Sequence, residues 1–229
     1  FQTTNSGITS DIVHHVTIDK SGFIYVTVSY GRINGYQIMR FDGKKTWKNI
    51  SGLIFGAYDL EIDSSIILSV GYNGIYQIVN DTSVKLQGLP TDQFRCIAID
   101  VNGNKWFGSP NRLIKYNKTV LATYDQTSFS GLSNGVQTIL CDSNNVLWLG
   151  TSNGLITFDG NNWRIWNNSN SSFSASTIYK ITKDKSNQLW LGCADFIWKF
   201  NGTDFTVYKD TTLSIRGKWT AMDICIDSS

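Results

Sequence analysis

Asp59, Glu61 and Asp63 alternate along one stretch of the chain. Paired acids of this kind can carry out glycoside hydrolysis, one donating a proton while the other acts as base or nucleophile. Alternate residues of a strand share a face and lie about 7 Å apart. Asp63 also belongs to a recurring aspartate column, described below, that assigns it a turn-building role. The three are therefore read as polar strand positions. His14 and His15 are the only histidines. Neighbouring strand residues point to opposite faces, so the pair does not chelate one ion. No further histidine remains for a metal cluster or a Ser-His-Asp triad. Cys96, Cys141, Cys193 and Cys225 include no Cys-x-x-Cys pair and sit in or beside apolar runs, so they read as buried free thiols. No catalytic residue, metal or cofactor is expected.

The elements behind these residues repeat. Aspartates recur at Asp19, Asp63, Asp100, Asp142, Asp184 and Asp227, with spacings of 44, 37, 42, 42 and 43. Three residues before each stand Val16, Leu60, Ile97, Ile139, Ile181 and Ile224. Six before stand Val13, Ala57, Phe94, Val136, Ile178 and Ala221, and eight after stand Thr27, Gly71, Gly108, Gly150 and Gly192. Each unit reads as four short strands: one ending at the aspartate, then runs such as Leu147-Trp-Leu-Gly150, Gly154-Leu-Ile-Thr-Phe-Asp159 and Asn162-Trp-Arg-Ile-Trp166. A four-stranded repeat of about 40–45 residues is a β-propeller blade. The fold class is all-β, a propeller of antiparallel four-stranded blades. The aspartates are expected to build Asx turns between the first two strands. Asn144 and Asn187, just after their anchors, suit the left-handed conformation of such turns. Trp106, Trp148 and Trp190 share one column and are expected to pack between blades.

The 229 residues carry 41% apolar, 13% aromatic and 17% charged residues, with a net charge of +2. This excludes a disordered chain, and without a basic run it gives no footprint for nucleic acid. No stretch approaches a membrane-spanning length of apolar residues, and no signal peptide is visible. Residues 1–229 are read as one propeller domain or a fragment of one. Five complete units run from about residue 12 to residue 216, Trp219 to Asp227 supplies the first strand of a sixth, and Phe1-Gln-Thr-Thr4 reads as the last strand of a preceding blade. Open strand edges or the remainder of a longer propeller would favour self-association.

Asp142-Ser-Asn-Asn-Val-Leu-Trp-Leu-Gly-Thr-Ser-Asn-Gly-Leu-Ile-Thr-Phe-Asp159, with its lead-in Gly131-Leu-Ser-Asn-Gly-Val136, resembles the two-component regulator propeller repeat. Asp184 to Phe200 is similar, with Asp195 in place of Gly; Asp100 to Tyr116 is weaker, and Asp63 to Ile78 lacks the tryptophan. The resemblance implies a periplasmic or extracellular sensor propeller ahead of a membrane helix and a histidine kinase, often one that recognises oligosaccharides. It implies no catalytic residues. The Leu-Trp-Leu-Gly runs are also distantly similar to streptogramin-lyase propellers, but no histidine lies in a later blade to serve as base. Phe41-Asp-Gly-Lys-Lys-Thr-Trp47 and Phe158-Asp-Gly-Asn-Asn-Trp163 resemble the Asp-box turns of sialidases, without a clustered arginine triad.

By analogy with propellers, the loops leading into each blade and those between second and third strands share one face, where ligands bind. The lead-in column holds His14, Tyr58, Arg95, Gln137, Tyr179 and Met222; the other loops hold Tyr30, Arg32, Tyr72, Asn73, Asn111, Arg112, Asn153 and Asp195. Sugars are bound by such mixtures of aromatic faces and planar polar groups. The candidate ligand-binding residues are Tyr30, Arg32, Tyr72, Arg95, Arg112, Tyr179 and Asp195. The strongest single loop is that of the first blade, with a four-residue insertion from Tyr30 to Ile33. The leading reading is a non-catalytic ligand-sensing propeller; a structural or adhesive propeller and a glycosidase- or lyase-like enzyme are the alternatives.

Overall fold

Twenty-one short strands form five sheets among the residues described by the structure, a computed structural model covering residues 7–10, 12–30, 35–50, 54–63, 66–174, 177–194, 196–209 and 224. Blade 1 holds β1 (Val13–Ile18), β2 (Ile24–Tyr30), β3 (Gly35–Phe41) and β4 (Trp47–Asn49), with β5 (Ile54–Phe55) added to β3. Blade 2 holds β6 (Asp59–Asp63), β7 (Ile66–Gly71), β8 (Gly74–Val79) and β9 (Thr82–Lys85). Blade 3 holds β10 (Cys96–Ile99), β11 (Lys105–Gly108), β12 (Arg112–Asn117) and β13 (Thr119–Asp125). A 3-10 turn (Ser130–Asn134) leads to blade 4, with β14 (Val136–Cys141), β15 (Leu147–Thr151), β16 (Gly154–Phe158) and β17 (Trp163–Trp166). Blade 5 holds β18 (Ile178–Lys183), β19 (Leu189–Cys193), β20 (Ile197–Phe200) and β21 (Phe205–Tyr208). Apart from β5, the strands of each sheet follow one another in chain order, as the all-β propeller reading requires. The first and last strands expected at residues 1–4 and 219–227 lie outside the described residues, apart from Ile224.

The contacts divide the chain into two compact units: Phe1–Ile99, Gly103–Ser109 and Lys115–Ala122 form one, and Asp100–Asn102, Pro110–Ile114 and Thr123–Ser229 the other. In the first unit, β1 lies against β6 and β6 against β10. In the second, β14 and β15 lie against β18.

Cross-strand partners share a sheet face, so each blade has a leading face and a trailing face. In the first unit, Leu60, Ile67, Tyr76 and Ile78 of the leading face of blade 2 are buried with Tyr25, Ile38 and Ile50 of blade 1. In the second, Ile181, Leu189, Leu191 and Phe200 of blade 5 are buried with Leu155 and Trp166 of blade 4, with Trp148 packed against them. Trp148 lies 6.0 Å from the ring of Phe200 in the next blade, which is the inter-blade packing expected of its column.

Four of the anchor aspartates, Asp19, Asp100, Asp142 and Asp184, build the expected turns, whereas Asp63 ends β6 and pairs across to Ile66, and Asp227 lies outside the described residues. Oδ1 of Asp142 accepts the N–H groups of Asn144 and Val146 at 2.9 and 3.0 Å. Asp19 does the same for Ser21 and Phe23, and Asp184 for Ser186 and Gln188. The left-handed residue is the third after the anchor: Gly22, Gly103, Asn145 and Asn187 have φ of 84°, 77°, 64° and 62°. Asn145, rather than Asn144, therefore meets the conformational demand in blade 4.

Two register assignments change. Opposite the position four before the anchor stand Gly108, Gly150 and Gly192, facing Cys96, Thr138 and Lys180. In blade 2 the equivalent Asp59 faces Val70, not Gly71, because the hairpin after Asp63 is one residue shorter. Ser69 is thereby buried on the leading face opposite Leu60. In blade 1 the insertion is six residues rather than four: Thr27 pairs with Ile38, eleven positions on, where Gly150 pairs with Leu155, five on. The extra residues lengthen β2 and β3 into a hairpin projecting beyond the usual blade edge.

The glycine column has a physical cause in the second unit. A Cβ on Gly150 would lie 2.6 Å from Thr138 Cγ2 and 2.8 Å from Ile178 Cγ2. The first strand of blade 5 approaches blade 4 too closely there for any side chain.

Candidate functional site

The lengthened hairpin of blade 1 places Ser29 opposite Tyr36. β5 pairs with Gly35 and Tyr36 and carries the chain into Gly56, Ala57 and Tyr58 at the start of blade 2. Side chains from both blades meet there, within the first unit. His14 Nε2 and Ser29 Oγ are 2.8 Å apart. The His14 ring lies 4.7 Å from that of Tyr36, which lies 5.9 Å from that of Tyr58. The hydroxyl of Tyr58 accepts a hydrogen bond from Gln93 Nε2 at 3.0 Å. Gly56, at φ 64°, lets the backbone turn where a Cβ would lie 3.1 Å from the Tyr58 ring and 3.2 Å from Tyr72 Cβ. Tyr72, on the turn between β7 and β8, is exposed.

Electrostatics keep this cluster neutral. His14 as a residue is exposed, but burial of its imidazole lowers the pKa below the ordinary 6.5. Burial raises Tyr36, and the neighbouring Tyr58 adds to the shift. The site therefore offers aromatic faces, hydroxyls, an amide and an uncharged imidazole, without a fixed charge on any of these groups.

Asp59 secures the floor of this region. Its Oδ1 lies 3.1 Å from His15 Nδ1, and its Oδ2 accepts the N–H of Ile97 at 3.0 Å. One carboxylate thus ties β1 of blade 1, β6 of blade 2 and β10 of blade 3. Asp63 pairs with Lys105 Nζ at 2.5 Å. These two carboxylates are engaged in blade-to-blade bonds, which fits the reading of Asp59, Glu61 and Asp63 as polar strand positions. Among the described residues no group of three or more metal-ligating side chains converges. Cys96 and Cys193 are buried and Cys141 is half-buried, none of the three in a disulfide; Cys225 lies outside the described residues. Burial, with Asp100 and Asp142 nearby, pushes the Cys141 thiol up to about 11.

The other predicted residues are placed as follows. Tyr30 closes β2 opposite Gly35. Arg95 precedes β10, with its N–H on the Gly108 carbonyl at 2.8 Å. In the second unit, half-buried Arg112 opens β12 and half-buried Tyr179 is the second residue of β18, while Gln137 Nε2 donates to Ser152 Oγ at 3.3 Å. Arg32, Asp195 and Met222 lie outside the described residues. Sequence reasoning missed Ser29, Tyr36 and Gln93. The insertion itself was the usable signal, since residues added to a hairpin lie beyond the repeat columns.

Residues 130–153 match the family model of the two component regulator propeller, from the 3-10 turn through the anchor turn and β15 into the turn that follows it. A comparison with curated protein sequences finds no match. Among solved structures, the extracellular domain of the hybrid two component system BT3049 from B. thetaiotaomicron is 17% identical, with a TM-score of 0.75 over 88% of this chain. The chain spans 29% of that domain. Virginiamycin B lyase from Staphylococcus aureus is 18% identical, with a TM-score of 0.70 over 87% of this chain and 70% of the lyase. PorZ, a surface component of the type-IX secretion system of Porphyromonas gingivalis, is 14% identical, with a TM-score of 0.68 over 89% of this chain and 35% of PorZ. What these proteins share with this chain is the fold.

Proposed function

We propose that this chain, which carries the two component regulator propeller repeat, is a non-catalytic sensor propeller acting outside the cytoplasm. Its ligand is an oligosaccharide or another small neutral molecule held at the His14–Tyr36–Tyr58 cluster. The observation that carries this reading is the cluster itself: three rings in series with Ser29, Gln93 and exposed Tyr72 around them. Tyrosine and histidine faces stack on sugar rings, while the hydroxyl and amide groups meet sugar hydroxyls. The extracellular domain of a hybrid two component system, similar in fold, supports the location and the signalling role. A ligand bridging the blade 1 hairpin and Tyr58 would favour one arrangement of the two blades, and a domain attached to the chain would feel that bias.

The lyase of similar fold supports an enzyme reading less well. Both histidines of this chain lie in β1, and Asp59 already bonds His15 and Ile97.

A thermal-shift screen against a broad oligosaccharide panel tests the proposal. A ligand that binds only the folded chain raises its melting temperature. The shift should disappear in Tyr36→Ala and Tyr58→Ala. No shift across the panel, or a shift retained in both variants, would overturn the assignment.

A further inference from the structure

The pair formed by His14 and Ser29 recurs once among the described blades. His14 stands five residues before its anchor and Ser29 ten after it; Gln137 and Ser152 hold the same two positions in blade 4. Each pair is hydrogen-bonded: Gln137 Nε2 donates to Ser152 Oγ at 3.3 Å, and His14 Nε2 meets Ser29 Oγ at 2.8 Å. One irregularity of the inner strand causes both. The register shifts between Val13 and His15 in β1 and between Val136 and Thr138 in β14. A bulge of this kind re-aims the extra residue, here toward the turn between the second and third strands. Blades 3 and 5 break the pair, because Pro110 and Ala194 stand ten after their anchors and carry no hydroxyl; blade 2 has Asn73 there.

The third member recurs as well. Tyr58 stands five before the anchor of the blade that follows His14, and Tyr179 holds that position in the blade that follows Gln137. Tyr179 is the bulged residue of β18, which packs against β14 within the second unit. Gln137 and Tyr179 are half-buried, and Ser152 is exposed. Ser152 is held in place by its own N–H, which donates to the Asn134 carbonyl at 3.2 Å. A glutamine amide has two N–H donors and an acceptor oxygen, and the bond to Ser152 uses one donor. The other N–H and Oε1 suit adjacent hydroxyls of a sugar, and Tyr179 adds an aromatic face.

We propose that Gln137, Ser152 and Tyr179 form a second ligand subsite, within the second unit, for a neutral sugar residue of the kind assigned to the His14–Tyr36–Tyr58 cluster. The ligand class rests on that assignment, while the site itself rests on the recurrence. The blade 4 hairpin turns between Thr151 and Gly154 and has no counterpart of Tyr36, so this subsite lacks the central ring. It should therefore bind the same sugar about tenfold more weakly, the equivalent of one lost ring contact.

NMR titration of the full chain separates the two sites. The side-chain amide of Gln137 and the ring of Tyr179 report on one, and the rings of His14, Tyr36 and Tyr58 on the other. The probes are the methyl glycosides of glucose, galactose, mannose and xylose, each raised until the shifts saturate or solubility is reached. At least one should move both sets of signals, with Gln137 and Tyr179 following the weaker isotherm. Gln137→Ala should abolish the Tyr179 shift and leave those of Tyr36 and Tyr58 unchanged, whereas Tyr36→Ala should weaken the first site and spare the second. An unaltered backbone amide spectrum establishes that each variant folds, and Gln137→Glu, which keeps the shape but loses the N–H donors, replaces Gln137→Ala if that variant does not. Signals that move only at Gln137 and Tyr179 would support the second subsite and overturn the assignment to the first. Signals that move only at His14, Tyr36 and Tyr58 would overturn the second subsite and leave the first standing. No movement at either set with any of the four probes, or a Tyr179 shift retained in Gln137→Ala, would also overturn the proposal.

Discussion

The indole Nε1 of Trp148 donates to Oδ2 of Asp142 at 3.0 Å, while Oδ1 of the same carboxylate holds the turn that leads to the tryptophan's own strand. Trp190 and Asp184 repeat the arrangement at 2.9 Å, and in blade 1 the hydroxyl of Tyr25 reaches Asp19 at 3.4 Å. The anchor therefore does more than shape a hairpin. It also orients the aromatic ring that packs against the next blade.

Replacing Asp142 by Ala removes three bonds to one carboxylate and should lower stability by about 3 kcal/mol. Trp148→Phe keeps a ring but loses the donor. A double-mutant cycle between the two should show about 1 kcal/mol of coupling, measured by denaturant unfolding. Additive effects would mean that the indole bond contributes nothing to the native state.

Gly150→Ala should destabilise the chain by about 2 kcal/mol, as an overpacked interface does. The new methyl would press on Thr138 and on Ile178 of blade 5. Pairing Gly150→Ala with Ile178→Ala should recover part of the loss in the same unfolding measurement. No recovery would place the cost in the backbone rather than in the approach of the two blades.

Ser69 makes the opposite case. It is fully buried, and its hydroxyl has no hydrogen-bond partner. Ser69→Ala removes an unsatisfied polar group and should raise stability by about 1 kcal/mol. A lowered melting temperature would show that the hydroxyl is satisfied in solution.

The reasons some features were legible lie in these same residues. Asp142, Gly150 and Trp148 each answer a local demand, for a turn, a close approach or an inter-blade ring, so spacing alone exposes them. Ser69 was not legible in this way. The count from Asp63 places Gly71 in the glycine column, but the shorter hairpin moves the pairing by one, and register follows the hairpin rather than the count. The binding cluster was half legible for a similar reason. His14 and Tyr58 stand in a fixed column. Tyr36 and Ser29 stand on a hairpin whose length depends on how six extra residues divide between two strands, and Gln93 reaches Tyr58 across 35 positions of sequence.

Acid should loosen the turns in a defined window. The N–H groups of Thr46, Lys44 and Lys45 hold the Asp42 carboxyl down to about 2, from 3.8 in an unstructured chain. Asp184 is lowered first by Trp190 and then by the N–H of Gln188, and Asp159 by Asn162 and Asn161. A folded pKa below the unfolded one means that the unfolded chain takes up protons first as the pH falls. The stabilisation is therefore complete above about pH 4 and is lost toward about pH 2. Melting temperatures recorded through this window should fall, and Asp42→Asn, which keeps an acceptor but does not titrate, should flatten the fall. An unchanged slope would show that Asp42 is not held in this way.

His14 titrates with the opposite sense of charge but the same dependence of stability. Its folded pKa lies below 6.5 because the ring is buried, so the unfolded chain again binds the proton first and stability declines as the pH drops through the unfolded value. The ring packs on Tyr36, and removing that cover should relax the shift. In NMR titrations, the His14 pKa should therefore rise toward 6.5 in Tyr36→Ala, while Tyr36→Phe, which keeps the ring, should leave it depressed. A His14 pKa unaffected by Tyr36→Ala would mean that other groups bury the imidazole, and Tyr36 would no longer be needed to keep the cluster neutral.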